Sequence, residues 1–377
     1  MANITQAVSG DTEILVIERV YETPSAAAPL FSEQFLQAVP IGQIVGAVDA
    51  LRASYGSAQA IREAGGGYEI ETPTHRIPVQ ISLDAEGRIV ELLLKPAERL
   101  TVSIEDTLKL LAETPGETSY AIMRDGDLVY GQEPGKRLAV GSAFKLGVLS
   151  ALADDIEAGG HQWDDVLKLK PEDKSLPSGR LQNFPTGSPF TLHTLAAAMI
   201  AESDNTATDM LIRLLGRGPI AEKLQAETLL TTREFFVLKA DPDLAGRYAE
   251  ADADQRAAII SEIAGRELPP AAQVIGQHDE GVEWYVSNAT LCELAGAVRS
   301  LDVFAIESGP VDAGRWREVA YKGGSETGVL NLTAAVTKED EHSWCVSVTV
   351  NAADMIDTAE VTGLFSRLTD QLATDRR

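Results

Sequence analysis

Cysteine is scarce in this chain, with only Cys292 and Cys345 among 377 residues. Cys292 sits in an apolar helical pattern (LCELAGAV) and Cys345 in a strand-like run (SWCVSVTV). Both read as small core residues rather than as a disulfide or a reactive thiol. Histidine is scarce too: His75, His161, His193, His278 and His342 are scattered, and none has metal-ligand spacing. No metal site is expected from this spacing, and the scatter counts against a Ser-His-Asp triad. No stretch approaches the roughly 20 apolar residues that span a bilayer. The opening MANITQAVSGDTEILVIERV has no basic start, no apolar segment and no small-residue cleavage site. That predicts a cytoplasmic protein, or an exported one whose leader has been removed. Positive charge is outweighed, with 57 acidic against 32 basic residues and a formal net charge of −25. Such a chain should repel nucleic acid and anionic membrane surfaces, so neither is expected as a partner.

What is present supports a folded protein of two domains. Hydrophobic residues make up 44% of the chain, enough for real cores. Residues 1–102 read as a small α+β accessory domain. FSEQFLQAV and IGQIVGAVDALRASY carry helix-period apolar residues, with Pro40 between them. Ile77, Val79, Ile81 and Leu83 then alternate as in a half-buried strand, and Pro78 within that run predicts an edge position. Gly65–Gly67 and Glu86–Gly87 mark turns. Residues 103–377 read as the larger domain. It opens with a helix (SIEDTLKLLAET) and a hairpin turning at Asp125–Gly126, continues mostly helical, and returns to strands before a last helix. Strands at both ends of the domain predict one antiparallel sheet flanked by helices.

Chemistry concentrates at three places. Ser142 and Lys145 form S-x-x-K at the start of a long apolar helical pattern, so both side chains share one helical face. A lysine there can accept the serine proton if burial or a second cation lowers its pKa. Alone, the spacing equally fits a serine near a helix start and a solvated lysine. Ser203–Asp204–Asn205 interrupts two apolar helical patterns as a polar loop, and by itself also fits a helix cap. Lys322–Gly323–Gly324–Ser325 lies on a late strand, where the glycines let a substrate approach the strand edge or simply make a turn.

In this order and spacing the three motifs, with the run LPSGRLQNFPTGSPFTLHTLAAAMIAESDNTATDMLI, resemble the penicillin-recognising serine hydrolases, most closely class A β-lactamases. The resemblance covers about residues 103–377. It implies an α+β fold of the class A type, with Ser142 as the acylated nucleophile and Lys145 as its proton acceptor. Ser203 would relay a proton to the leaving group, and Asn205 would bond the lysine or a substrate amide. Asp204 would hold the loop in shape, and Lys322 would hold a substrate carboxylate and set the field around Ser203. Gly324 would admit the substrate, and the backbone N–H groups of Ser142 and Ser325 would form the oxyanion hole.

Two departures accompany the likeness. The family's third motif is K-[ST]-G, but residue 323 is glycine. The stretch between about residues 225 and 283 contains no E-x-x-L-N, the element that activates the deacylating water in class A enzymes. Glu234 is the nearest acidic candidate, and its place in T-T-R-E also fits a helix cap. A small α+β domain ahead of such a domain is similar to a two-domain, esterase-like subfamily of the clavulanic-acid-cluster type. That likeness implies a front domain of the steroid-isomerase/polyketide-cyclase kind. The resemblance implies a serine esterase or amidase acting on a small-molecule ester, amide or β-lactam through an acyl-enzyme at Ser142, with weak or no β-lactamase activity and with no metal or cofactor. A true β-lactamase, a D-Ala-D-Ala peptidase, or a slow acyl-ligand or β-lactam binding protein are the alternatives.

Overall fold

The structure, a computed structural model, describes residues 3–64, 66–100, 103–274 and 281–375. Gly65, His278 and the expected boundary at residue 102 lie outside the described residues. The chain divides into two compact units, Met1–Ser103 and Ile104–Arg377. None of the described helices is long and apolar enough to cross a membrane.

The first unit begins with helices α1 (Asn3–Glu22), α2 (Glu33–Ala38) and α3 (Ile41–Tyr55). Ser32 caps α2 by accepting from the Phe35 amide, and Pro40 enters α3 where no intrahelical donor is needed. An antiparallel sheet follows: β1 (Ala60–Ala64), β2 (Gly67–Glu71), β3 (His75–Leu83), β4 (Ile89–Leu94) and β5 (Glu98–Arg99). Ile17 and Tyr21 of α1 and Val48 of α3 share one buried cluster with Ile70, Ile77, Val79 and Ile89 of the sheet.

Pro78 departs from its expected edge position. β3 is flanked by β2 on one side and by β4 and β5 on the other. β4 pairs with Val79–Leu83 and β5 with His75–Arg76, so Pro78 falls in the gap between them. Its carbonyl accepts from the Lys95 amide on that side, and its missing N–H faces a place where no strand asks for one.

The second unit opens with α4 (Ile104–Ala112) and a hairpin of β6 (Glu117–Arg124) and β7 (Asp127–Gln132). Asp125 and Gly126 both take positive φ, +49° and +90°, as the tight turn requires. Then come β8 (Arg137–Ala139), α5 (Lys145–Glu157), β9 (Val166–Lys168), β10 (Pro189–Thr191), α6 (Leu192–Ala201), α7 (Asn205–Leu215), α8 (Arg217–Lys223) and α9 (Thr232–Lys239). They are followed by α10 (Pro242–Glu250), α11 (Ala253–Ile263), β11 (Tyr285–Ser287) and α12 (Asn288–Val298). β12 (Glu318–Glu326), β13 (Val329–Thr337), β14 (Ser343–Asn351) and α13 (Thr358–Thr374) complete the unit.

The sheet order is β12-β13-β14-β6-β7, so strands from both ends of the unit make one antiparallel sheet. Every residue of β13 is buried, as a central strand covered on both faces requires. α4 and α13 share one apolar cluster with the sheet, and α5, α6, α7 and α12 share another. Residues Lys145–Leu152 of α5 are all buried, which explains the mostly apolar run after the lysine. β12 is left at the edge of the sheet.

The two cysteines do not follow the expected thiol reading. Cys292 on α12 and Cys345 on β14 form a disulfide, with Cα atoms 5.6 Å apart. Both are buried where α12 packs on the sheet, a contact that neither local sequence reveals.

Candidate active site

Ser142 is placed by what precedes it. The Asn351 side chain mimics a strand neighbour for Ala139, accepting from its amide at 2.8 Å and donating to its carbonyl at 2.9 Å. The Val140 amide donates to the Trp284 carbonyl at 3.0 Å. Gly141 then takes φ +48°, and Ser142 sits in a short 3-10 turn, Gly141–Phe144, which runs into α5. Phe144 stacks on Trp284 at 4.2 Å, and Trp284 on Phe235 at 4.4 Å, which fixes the wall behind the turn.

Lys145 is fully buried. Its Nζ lies 3.2 Å from Ser142 Oγ, 2.6 Å from the Ser203 carbonyl, 3.0 Å from Ser203 Oγ and 2.7 Å from Asn205 Oδ1. The Ser203 carbonyl and Asn205 Oδ1 can only accept. A neutral amine has two N–H bonds for them and one lone pair left, which the Ser142 hydroxyl can reach. Burial, reinforced by the nearby charge of Lys322, holds the Lys145 ammonium well below its ordinary range, against the opposing pull of Asp209 and Asp204. The geometry and the electrostatics thus favour the same state, a free amine facing Ser142.

The S-D-N loop joins α6 to α7. Ser203 takes φ +54°, a left-handed conformation that a β-substituted residue adopts at a cost. Three bonds compensate: Ser178 Oγ and Lys145 Nζ both donate to its carbonyl, and Lys322 Nζ lies 3.1 Å from its Oγ. Asp204 is fully buried and caps α7 by accepting from the Ala207 amide at 2.8 Å. Its second oxygen accepts from the amides of Arg180 and Leu181 at 2.7 and 2.8 Å. Asp204 therefore ties the segment around Leu181 to the loop and does not point at Ser142.

Lys322 and Gly324 lie on β12. Lys322 is 5% exposed, and its Nζ donates to Ser203 Oγ and to the Gly323 carbonyl at 2.8 Å. Burial pulls its pKa down to about 7. Gly324 has no room for a side chain: a Cβ there would overlap the Val140 carbonyl and the amide nitrogens of Ser142 and Ala143. The edge strand thus lies directly against the turn that carries Ser142. A Cβ on Gly141 would come within 3.2 Å of the Ser325 amide nitrogen, so that N–H lies next to the turn that carries Ser142. Ser142, Ser203, Lys322, Gly324 and Ser325 line one open cleft of about 380 Å³.

Several contributors carry no motif. Ser178 and the Leu176 carbonyl, which accepts from Asn205 Nδ2 at 3.0 Å, brace the S-D-N loop from outside. Buried Asp209 accepts from the amides of Thr232 and Arg233 at 2.7 and 2.9 Å and so ties α7 to α9. Tyr321 fills the space beside Gly323, where a Cβ would overlap its hydroxyl. Glu234 follows the capping alternative. It accepts from the Thr231 amide in a capping box at the start of α9, and both its oxygens are held by Arg217 at 2.6 and 2.8 Å. Among the described residues, no carboxylate is hydrogen-bonded to Ser142, Lys145 or Ser203.

Comparison with known proteins bears on the fold of the second unit. Residues 101–273, which include Ser142, Lys145 and the S-D-N loop, match the β-lactamase enzyme family. The match lies almost wholly in the second unit, whose mixed helix and antiparallel-sheet fold is of the class A β-lactamase type. No curated protein matches the chain. Among solved structures, a β-lactamase from Sphaerobacter thermophilus is similar, with 19% identity and a TM-score of 0.51 over 72% of this chain and 96% of that one. A class A β-lactamase from Bacteroides cellulosilyticus is similar with 17% identity and a TM-score of 0.50, over 72% of this chain and 98% of that one. These two likenesses are of fold.

Proposed function

We propose that this protein is a serine esterase or amidase that works through an acyl-enzyme at Ser142 on a β-lactamase scaffold. The observation that carries the reading is the position of the buried Lys145 amine between Ser142 Oγ and the Ser203 hydroxyl, with Lys322 on the far side of Ser203. Ser142 Oγ attacks the acyl carbon while its proton passes to Lys145 Nζ. The tetrahedral oxyanion is stabilised by the N–H groups of Ser142 and Ser325. Ser203 gives its proton to the leaving oxygen or nitrogen as the acyl bond breaks, and regains one from Lys145. A water then attacks the acyl-enzyme, again losing its proton to Lys145, and Ser142 is released with that proton.

The same chemistry favours esters over β-lactams. Glu234, the nearest acidic candidate for water activation, is committed to Arg217 and to its helix cap. Deacylation would fall to Lys145 and Ser203, which suits a small ester acyl group better than a penicilloyl one. The Cys292–Cys345 disulfide supports an oxidising working compartment over the cytoplasm expected from the opening sequence.

The test compares a short-chain aryl ester, a cephalosporin bearing a 3′-acetoxy group and a penicillin. Wild type is expected to turn over the aryl ester and the acetoxy ester, to leave the penicillin acyl-enzyme long-lived, and to lose all turnover in Ser142→Ala. Rapid, complete penicillin hydrolysis would contradict the esterase reading.

A pH profile provides a second check. kcat/KM is expected to rise as Lys145 loses its proton. It should fall as Lys322 loses its charge, near pH 7, because the group that polarises Ser203 is then neutral. Lys322→Arg keeps its charge across that range, so the falling limb should move to higher pH even though the rate is lower. An unmoved limb would show that another group sets it.

A further inference from the structure

The charge lining of the cleft carries an inference about the substrate, which rests on the esterase reading above. Two charged side chains line the cleft among the described residues, Lys322 and Glu307. Lys322 is buried, and its Nζ is already engaged with Ser203 Oγ and the Gly323 carbonyl. Glu307 is exposed. One of its oxygens accepts from the Gly309 amide at 2.8 Å, which fixes the carboxylate at the cleft wall. No lysine or arginine pairs with it among the described residues. Tyr321 packs against Gly309, where a Cβ would overlap its ring, and its hydroxyl fills the space beside Gly323. The negative field of Glu307 reaches that phenol and adds to burial in raising its pKa to about 12. Tyr321 is therefore a neutral hydrogen-bonding group, and Glu307 is the net charge that an incoming group meets at this end.

Glu307 lines the same cleft as Ser203 and Lys322, and in the proposed mechanism Ser203 delivers its proton to the leaving group in that cleft. We propose that Glu307 selects substrates whose leaving group carries a positive charge, an ammonium-bearing alcohol or amine. A leaving group with a carboxylate would meet Glu307 directly and would find Lys322 turned inward. The chain's net charge of −25 adds a field of the same sign.

Three thioacetates that differ only in leaving group test this: acetylthiocholine (cationic), S-ethyl thioacetate (neutral) and S-acetylthioglycolate (anionic). Thiol release is followed at low ionic strength in wild type, Glu307→Gln, Glu307→Lys and Ser142→Ala. Wild type is expected to favour the cationic over the anionic ester by about tenfold in kcat/KM, a preference that shrinks with added salt. Glu307→Gln should level the order and Glu307→Lys should reverse it. Ratios within one variant do not depend on how much of it is folded. A wild type that prefers the anionic ester, or a Glu307→Lys variant that keeps the wild-type order, would overturn the proposal. Absence of serine-dependent turnover of all three would instead contradict the esterase reading on which it rests.

Discussion

Lys145→Met is expected to lower the acylation rate by about a thousandfold, within the roughly 10²–10⁴ range that a positioned general base supplies. Methionine matches the lysine in length and apolar volume, so the wall of α5 is kept while the lone pair facing Ser142 is lost. Stability gives a second, opposite reading. The Lys145 pKa is depressed on folding, so between its folded value and 10.5 the unfolded chain binds more protons than the folded one. Wild-type stability should therefore rise with pH across that interval, and Lys322 adds a share between about 7 and 10.5. In Lys145→Met the larger share of the rise disappears. A variant that loses activity but keeps the full alkaline rise in a denaturant titration would show that Lys145 is not the depressed group. One that keeps wild-type acylation would remove it as the base.

Gly324→Ala is expected to cost about 10²-fold in kcat, the scale of losing one oxyanion-hole donor. A single methyl would overlap three backbone atoms of the nucleophile turn, at Val140, Ser142 and Ala143. Backbone cannot swing aside as a side chain can. The edge strand must therefore move away, and the Ser325 N–H moves with it from the oxyanion position. Stability should also fall, by about 1–3 kcal/mol for an overpacked site. Gly323→Ala is the control. Its methyl would overlap the Tyr321 hydroxyl, the far end of a side chain, so a smaller loss is expected. Equal losses in the two variants, measured as kcat with the aryl ester, would contradict a close approach specific to residue 324.

Much of this site was legible in the sequence because its chemistry needs side chains of fixed type at short spacing. The i, i+3 relation of Ser142 and Lys145 survives folding, since one turn of helix carries both. Ser203–Asn205 reads as a break between two apolar patterns, and Asp204 caps α7 as that break implies. The supporting contacts were not legible. The Leu176 carbonyl, the Thr232 amide and the Gly309 amide act through backbone atoms, which any residue supplies. Tyr321 and Glu307 are unremarkable in sequence and gain their roles only when β12 and the turn at Gly309 meet. The same limit applies to Cys292 and Cys345, each plausible as a core thiol until α12 packs on β14. Pro78 shows the reverse error. The rule that places proline at a sheet edge concerns its missing N–H, and a gap between two short strands satisfies that need within the sheet.

The central claim is that Ser142 carries the acyl group. Intact-mass and peptide-mapping measurements on protein quenched in acid during turnover of the aryl ester test it most directly. The account predicts one added acyl mass on the peptide that contains Ser142, accumulating further in Ser203→Ala and absent from Ser142→Ala. An acyl group mapped to another residue, or turnover by Ser142→Ala at the wild-type rate, would contradict it.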